Sequence, residues 1–136
     1  MKPHVLIIDD EQNIVLSLSL ALRKEFEVDA ALTAAEGLAK LRAGTYELVL
    51  LDLMIGEDDG LQVLEQIRAI SPQIQVIMIT AFGTIRSSVD AVKRGAFTYL
   101  TKPVNLEELK IYMYQALRYQ EMNDTIASLT NELNAR

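Results

Sequence analysis

Four short apolar runs, Val5–Ile8, Leu48–Leu51, Val76–Ile79 and Ala96–Leu100, limit what this chain can fold into more than any other feature. Three of them are almost continuously Val, Ile, Leu or Met, so both faces of each strand are apolar. Strands of that kind belong to a parallel sheet covered by helices on both sides. A fifth, weaker strand is read at Glu27–Ala31, where the alternating charges of Glu27 and Asp29 suit a sheet edge.

Helical periodicity fills the intervals. Ile14, Leu18, Ala21 and Leu22 share one face of a first helix. Thr33 and Glu36 form a capping-box pair opening a second, which Gly44 closes. A third runs from Asp59 to Ile70 and stops before Pro72. The fourth, Thr84 to Arg94, carries apolar Ile85, Val89 and Val92 and ends at Gly95. Asn105 and Glu108 cap a fifth, which runs on past the compact domain. Strict alternation with short loops implies an α/β fold, doubly wound, with right-handed crossovers. Five strands suggest the flavodoxin-like order 2-1-3-4-5, with five helices.

The polar residues then fall in a telling place. Asp9 and Asp10 follow strand one, Asp52 follows strand three, Thr80 ends strand four and Lys102 follows strand five. In an open α/β sheet these positions converge on one edge, the carboxyl ends of the strands, where ligands bind. Each has an ordinary reading alone: a helix cap for Asp9 and Asp10, a turn for Asp52, a cap for Thr80, a solvated Lys102. Their joint placement on one edge is the signal. Three crowded carboxylates repel, and a hard cation relieves the repulsion. Mg²⁺ favours one or two direct carboxylates with water and phosphate oxygens. A Lys ammonium and a Thr hydroxyl suit the remaining oxygens of a phosphoryl group. The site therefore reads as Mg²⁺ plus phosphoryl, with one carboxylate as acceptor. His4, at the start of strand one, is read as structural, and Met54, Met78, Met113 and Met122 as packing residues.

Composition removes other classes. At 136 residues the chain suits one domain. Its net charge of −6 disfavours direct nucleic-acid binding. With no cysteine and one histidine, disulfides, thiol catalysis and multi-histidine metal sites are excluded. The longest uncharged stretch, Ala69 to Ile85, is interrupted by Pro72, Gln73 and Gln75, so a membrane span is not expected. The expected location is cytoplasmic.

These residues resemble the receiver domain of two-component response regulators over roughly Lys2 to Arg118. The carrying elements are Val-Leu-Ile-Ile-Asp-Asp-Glu at 5–11, Leu-Leu-Asp-Leu at 50–53, Ile-Thr-Ala at 79–81 and Gly-Ala-Phe-Thr-Tyr-Leu-Thr-Lys-Pro at 95–103. The resemblance implies that Asp52 is the phosphoacceptor. It also implies that Asp10 binds Mg²⁺ directly, Asp9 through water, and the Met54 backbone carbonyl as a further ligand. Lys102 would contact the phosphoryl group, Thr80 would hydrogen-bond it, and Tyr99 would change rotamer when Thr80 moves. The Lys102–Pro103 bond would be cis. In one departure, Ile55 and Gly56 replace the usual Met-Pro after the acceptor, while Gly60 matches the pattern. Gly56 suggests a more mobile loop.

The Thr-Ala-Phe-Gly segment at 80–83 and the 95–103 segment look most like receivers of nitrogen-regulator-type transcription activators. There a helical linker, an ATPase domain and a DNA-binding domain follow. The chain is thus a fragment of such a protein or a free-standing receiver, and the long last helix favours the fragment. The implied function is phosphorylation-controlled signalling: a sensor histidine kinase supplies the phosphoryl group, and the faces of helix four, strand five and helix five change. Two rivals remain at this point. A small phosphatase of the haloacid-dehalogenase type would want its nucleophile on strand one with Asp two residues on, where Glu11 stands. A vestigial interaction module would not keep the full acidic, Thr and Lys set.

The last helix carries two faces. Leu106, Leu109, Met113, Ala116 and Leu117 form one, expected to pack on the sheet. Tyr112, Tyr119, Met122, Ile126, Leu129 and Leu133 form another roughly 140° away, with a/d heptad spacing and Gln115 at the first d position. The expectation is a receiver at 1–119, a helical extension at 120–136, and a homodimer paired through that helix.

Overall fold

The computed structural model describes residues 2–81 and 83–134; the side chains of residues 127, 128 and 131 are not described. Phe82 of the motif at 80–83, and the last two positions of the expected extension, lie outside the described residues. Numbering the strands of the main sheet only, the elements are β1 His4–Ile8, α1 Gln12–Leu22, β2 Glu27–Ala31, α2 Ala34–Ala43, β3 Leu48–Leu51, α3 Gly60–Ile70, β4 Gln75–Thr80, α4 Ile85–Lys93, β5 Thr98–Thr101 and α5 Leu106–Asn134. A two-residue antiparallel hairpin, Met54–Ile55 with Asp58–Asp59, links β3 to α3. The five strands are all parallel in the order β2-β1-β3-β4-β5. The expected flavodoxin-like architecture is therefore the observed one.

The apolar runs split by strand alternation into two cores. Leu6, Ile8, Val49, Leu51, Val76 and Met78 face α2, α3 and α4, meeting Leu38, Leu64, Ile67 and Ala91. Val5, Ile7, Leu48, Leu50, Ile77 and Ile79 face α1 and α5, meeting Leu18, Leu22, Leu109 and Met113. Side-chain caps form at the starts of α2, α3 and α5. Thr33 Oγ1 accepts from the Glu36 amide, Asp59 Oδ1 from the Leu61 amide and Asn105 Oδ1 from the Glu108 amide.

Three expectations need correction, and α4 departs from the other helices. Strand five begins at Thr98, not Ala96, because the preceding backbone closes α4. Gly95, at φ +107°, donates to Val92 O, and Ala96 donates to Ala91 O, the paired bonds of a Schellman motif. The apolar residues of α4 do not face the core. Ile85 is 86% exposed and Val89 and Val92 are exposed too, while the small Ala91 is buried against the sheet. Met54 and Met122 are exposed rather than packed, in contrast to Met78 and Met113; in the hairpin the inward position falls to Ile55 instead. Tyr112 packs partly buried against the α1/α5 core instead of joining the outer stripe of α5.

α5 is one uninterrupted helix of 29 residues, roughly 43 Å long at ~1.5 Å per residue. Its inner face buries Leu109, Met113 and Ala116. Beyond them Tyr119 sets its ring against Phe97, with centroids 6.0 Å apart, and Gln120 Nε2 donates to Gln73 O at 3.3 Å. Tyr119, Met122, Ile126, Leu129 and Leu133 are exposed.

Candidate functional site

The sheet delivers the polar residues by extending its own ladder one residue past the strands. Asp9 N donates to Ala31 O, Asp52 N to Ile8 O and Lys102 N to Thr80 O. The chain ends of β1, β3 and β5 thereby turn Asp9, Asp52 and Lys102 toward one crevice, at the point where strand order reverses. Asp9 and Asp52 are 4% and 3% exposed, and Thr80 is fully buried at the end of β4.

Lys102 is the hub. Its Nζ lies 2.8 Å from Asp9 Oδ2, 3.0 Å from Asp52 Oδ2 and 3.1 Å from Glu11 Oε1. The side chain is only 8% exposed. Burial alone would lower the ammonium's pKa, but the hydrogen bonds to Asp9, Asp52 and Glu11 outweigh it and hold the group above the ordinary lysine value. Lys102 is therefore a fixed positive charge. The Asp9 carboxyl also lies above its ordinary value. Burial pushes its pKa up, more than the bonds from Lys102 and the Glu11 amide pull it down, and the charge of Asp52 adds to the rise.

Asp9, Asp10 and Asp52 offer oxygens that all lie within 4.8 Å of one another. The buried pair faces Lys102, while Asp10 stands exposed on the rim. Gly56 N donates to Asp10 Oδ2 at 2.9 Å, so the hairpin tip orients that carboxylate. Met54, two residues past Asp52, donates its amide to Asp52 Oδ1 at 3.3 Å. One ammonium among four carboxylates leaves a surplus of negative charge. A donor set made wholly of carboxylate oxygens suits a hard divalent cation such as Mg²⁺.

The structure brings Asp9, Asp10, Asp52 and Lys102 into one cluster, with Thr80 at the adjoining strand end. Tyr99 lies on β5 with its ring against Gly83, and its hydroxyl is 3.2 Å from Ser87 Oγ on α4. The Lys102–Pro103 bond is cis, as expected. His4 lies at the opposite end of β1, 3.1 Å from Asp29, whose carboxylate also accepts from the Tyr46 hydroxyl at 2.7 Å. Three participants were not read from sequence as such. Glu11 follows the acidic pair and carries no separate signal. The Gly56 amide enters only through the geometry of the hairpin. The Ser87 contact with Tyr99 carries no local signal, since the Thr84-x-x-Ser87 spacing marks only the cap of α4.

A family model described as the response regulator receiver domain matches residues 5–114. The chain belongs to the response regulator receiver domain family. The receiver is 33% identical over 131 residues to the alginate biosynthesis transcriptional regulatory protein AlgB of Pseudomonas putida, covering 96% of this chain and 29% of that one. It is 38% identical over 115 residues to the transcriptional regulatory protein GlrR of Escherichia coli, covering 84% of this chain and 25% of the relative. The receiver thus spans under a third of the length of these relatives. Among solved structures, a receiver domain protein from Methanospirillum hungatei superimposes with a TM-score of 0.86 at 32% identity, covering 90% of this chain and 99% of the other. The beryllofluoride-activated NtrC4 receiver domain dimer gives 0.82 at 32% identity, covering 86% and 98%. The receiver is a signalling domain whose relatives are transcriptional regulators. Among its described residues no helix is long and apolar enough to cross a membrane.

Proposed function

We propose that the receiver accepts a phosphoryl group on Asp52 from a phosphohistidine of a sensor histidine kinase. The observation that carries this is the setting of Asp52: a carboxylate 3% exposed, 3.0 Å from a buried ammonium, beside two further carboxylates. An Asp52 oxygen attacks phosphorus in line, the O–P bond forms, and the P–N bond breaks with its electron pair returning to the imidazole nitrogen. Lys102, held protonated, donates to an oxygen of the transferred group. Asp10 and Asp52 would hold Mg²⁺ directly, with Asp9 through water and the Met54 carbonyl as a further ligand. Bound there, Mg²⁺ supplies neutralising charge to the phosphoryl oxygens. Thr80 hydrogen-bonds the modified Asp52 and Tyr99 follows it, shifting the population of the α4–β5–α5 face.

The acyl phosphate is lost slowly to water, so the receiver is a switch and not a turnover enzyme. The phosphatase alternative requires an Asp where Glu11 stands. In the cell the chain works in the cytoplasm, contacts no nucleic acid itself, and controls an output in transcription, as the names of its relatives suggest. The test is mass measurement after incubation with a small phosphodonor. The parent gains one phosphoryl group in the presence of Mg²⁺, and Asp52→Asn gains none. Labelling of the Asn variant at the parent's level would remove the assignment.

We further propose that residues 1–119 form the receiver proper and 120–136 a helical extension that pairs two receivers. Tyr119, Met122, Ile126, Leu129 and Leu133 form an exposed stripe at a/d spacing, and the similar NtrC4 receiver is described as a dimer. Sedimentation should give a dimer for the full chain and a monomer for a truncation ending at Tyr119. A monomeric full chain at tens of micromolar, phosphorylated or not, would overturn the pairing.

A further inference from the structure

Ser87 lies where two hydrogen-bond systems cross. It is the third residue of α4, and with Thr84 it closes a reciprocal capping box. Ser87 N donates to Thr84 Oγ1 at 3.0 Å, and Thr84 N donates to Ser87 Oγ at 2.9 Å. The Ser87 hydroxyl also lies 3.1 Å from the Thr84 carbonyl and 3.2 Å from the Tyr99 hydroxyl.

A serine hydroxyl has one proton and two lone pairs. One lone pair takes the Thr84 amide, and the proton goes to the Thr84 carbonyl. The second lone pair is shared by the Tyr99 O–H and the Thr84 hydroxyl, whose Oγ1 lies 3.1 Å from Ser87 Oγ. Gly83 completes the seat: a Cβ there would stand 2.8 Å from both Cε1 and the hydroxyl of Tyr99. The tyrosine ring is thus lodged against a glycine and anchored to the atom that caps α4.

We propose that Ser87 is a positioning residue, holding Tyr99 in the rotamer seen here and tying that rotamer to the N-terminal cap of α4. Because the Tyr99 and Thr84 hydroxyls share that lone pair, departure of Tyr99 redistributes the hydrogen bonds of the cap. The same hydrogen bond therefore links a side-chain rotamer on β5 to the order of the first turn of α4, and such linkage is reciprocal. The proposal rests on the reading of Tyr99 as the switch aromatic only for its role in signalling. The linkage itself is a property of the unphosphorylated chain.

Selective labelling of tyrosine gives the Tyr99 rotamer ratio from side-chain couplings, and amide exchange at Thr84 reports the cap. In the unphosphorylated chain, Ser87→Ala should shift the rotamer ratio away from the observed one by about fivefold, the factor that one ordinary intramolecular hydrogen bond supplies. Ser87→Thr, which keeps the hydroxyl, should restore the parent ratio. Tyr99→Phe, which leaves both cap residues intact, should speed Thr84 amide exchange by a similar factor. A parent-like Tyr99 ratio in Ser87→Ala, or unchanged Thr84 exchange in Tyr99→Phe, would overturn the linkage. Adding a phosphodonor with Mg²⁺ separates the two readings. An adduct on Asp52 that leaves the parent's Tyr99 ratio unmoved would remove the switch role of Tyr99, while the linkage would still stand or fall on the unphosphorylated ratios.

Discussion

The backbone amide of Gly56 donates to Asp10 Oδ2 at 2.9 Å, joining the hairpin tip after β3 to the acidic pair after β1. Gly56 makes this reach at φ +61°, in the left-handed region. A proline in its place would have neither the φ nor the N–H. The departure from the family's usual Met-Pro is therefore a different way of fastening the loop, with the glycine supplying a donor.

Gly56→Ala tests this. Nothing stands within 4 Å of the added Cβ, so its cost is backbone strain alone. Chemical denaturation should show a loss of about 1–2 kcal/mol. Gly56→Pro should lose more, because it also removes the donor to Asp10.

Gly60 is constrained differently. A Cβ there would stand 2.3 Å from the Asp52 carbonyl and 2.6 Å from that of Leu53, both backbone atoms that cannot swing away. Gly60→Ala should destabilise the receiver by about 3 kcal/mol, the upper part of the usual overpacking range. It should also slow phosphodonor labelling, since the displaced backbone carries Asp52. A fully stable variant would show that the hairpin can slide.

Removing the Lys102 ammonium leaves Asp9 and Asp52 buried without their cation. Breaking a buried pair from one side costs about 3–5 kcal/mol. Lys102→Ala should therefore melt lower than the parent without divalent cations. Mg²⁺ should raise its Tm more than it raises the parent's, because the cation would replace the lost positive charge. Equal Mg²⁺ responses would count against the acidic cluster as the metal site.

At the far end of the sheet, Asp29 and Tyr46 give the receiver a pH signature. The Tyr46 hydroxyl, with a smaller contribution from His4, holds the Asp29 carboxyl below its ordinary 3.8, even though partial burial acts the other way. Burial and the Asp29 carboxylate push the Tyr46 phenol up to about 12. A lowered carboxyl pKa stabilises above the unfolded value, and the gain is lost as pH falls through the folded one. A raised phenol pKa stabilises below about 10 and is lost as pH rises through about 12. Tyr46→Phe should thus be less stable than the parent by about 1 kcal/mol, a figure reduced for the partial exposure of Asp29. That difference should be constant between about pH 5 and 9 and shrink at both extremes. A difference independent of pH would trace instead to packing.

What the sequence disclosed follows from which interactions are local. Val5–Ile8 and Leu48–Leu51 announce buried parallel strands because both faces must be apolar, and Thr33, Asp59 and Asn105 cap helices within their own neighbourhood. Asp9, Asp52 and Lys102 were legible because a parallel sheet sends every strand end to one edge. The outward turn of the α4 apolar face was not legible, because amphipathicity records that a face is apolar without recording what covers it. Ile85, Val89 and Val92 have the right spacing and face outward. Glu11 on Lys102, Gly56 on Asp10 and Ser87 on Tyr99 join residues far apart in the chain or depend on one backbone angle, and neither leaves a periodic trace.

The unbroken course of α5 has a mechanical consequence. It holds neither glycine nor proline between Leu106 and Asn134, and its inner face is seated in the sheet's core. A cargo joined at Asn134 would therefore take its compass bearing from the receiver. Each residue inserted or deleted along the outer part of the helix turns that bearing by about 100° and shifts it by about 1.5 Å. Removing seven residues nearly restores the heading, whereas removing two swings the cargo to the opposite side of the shaft.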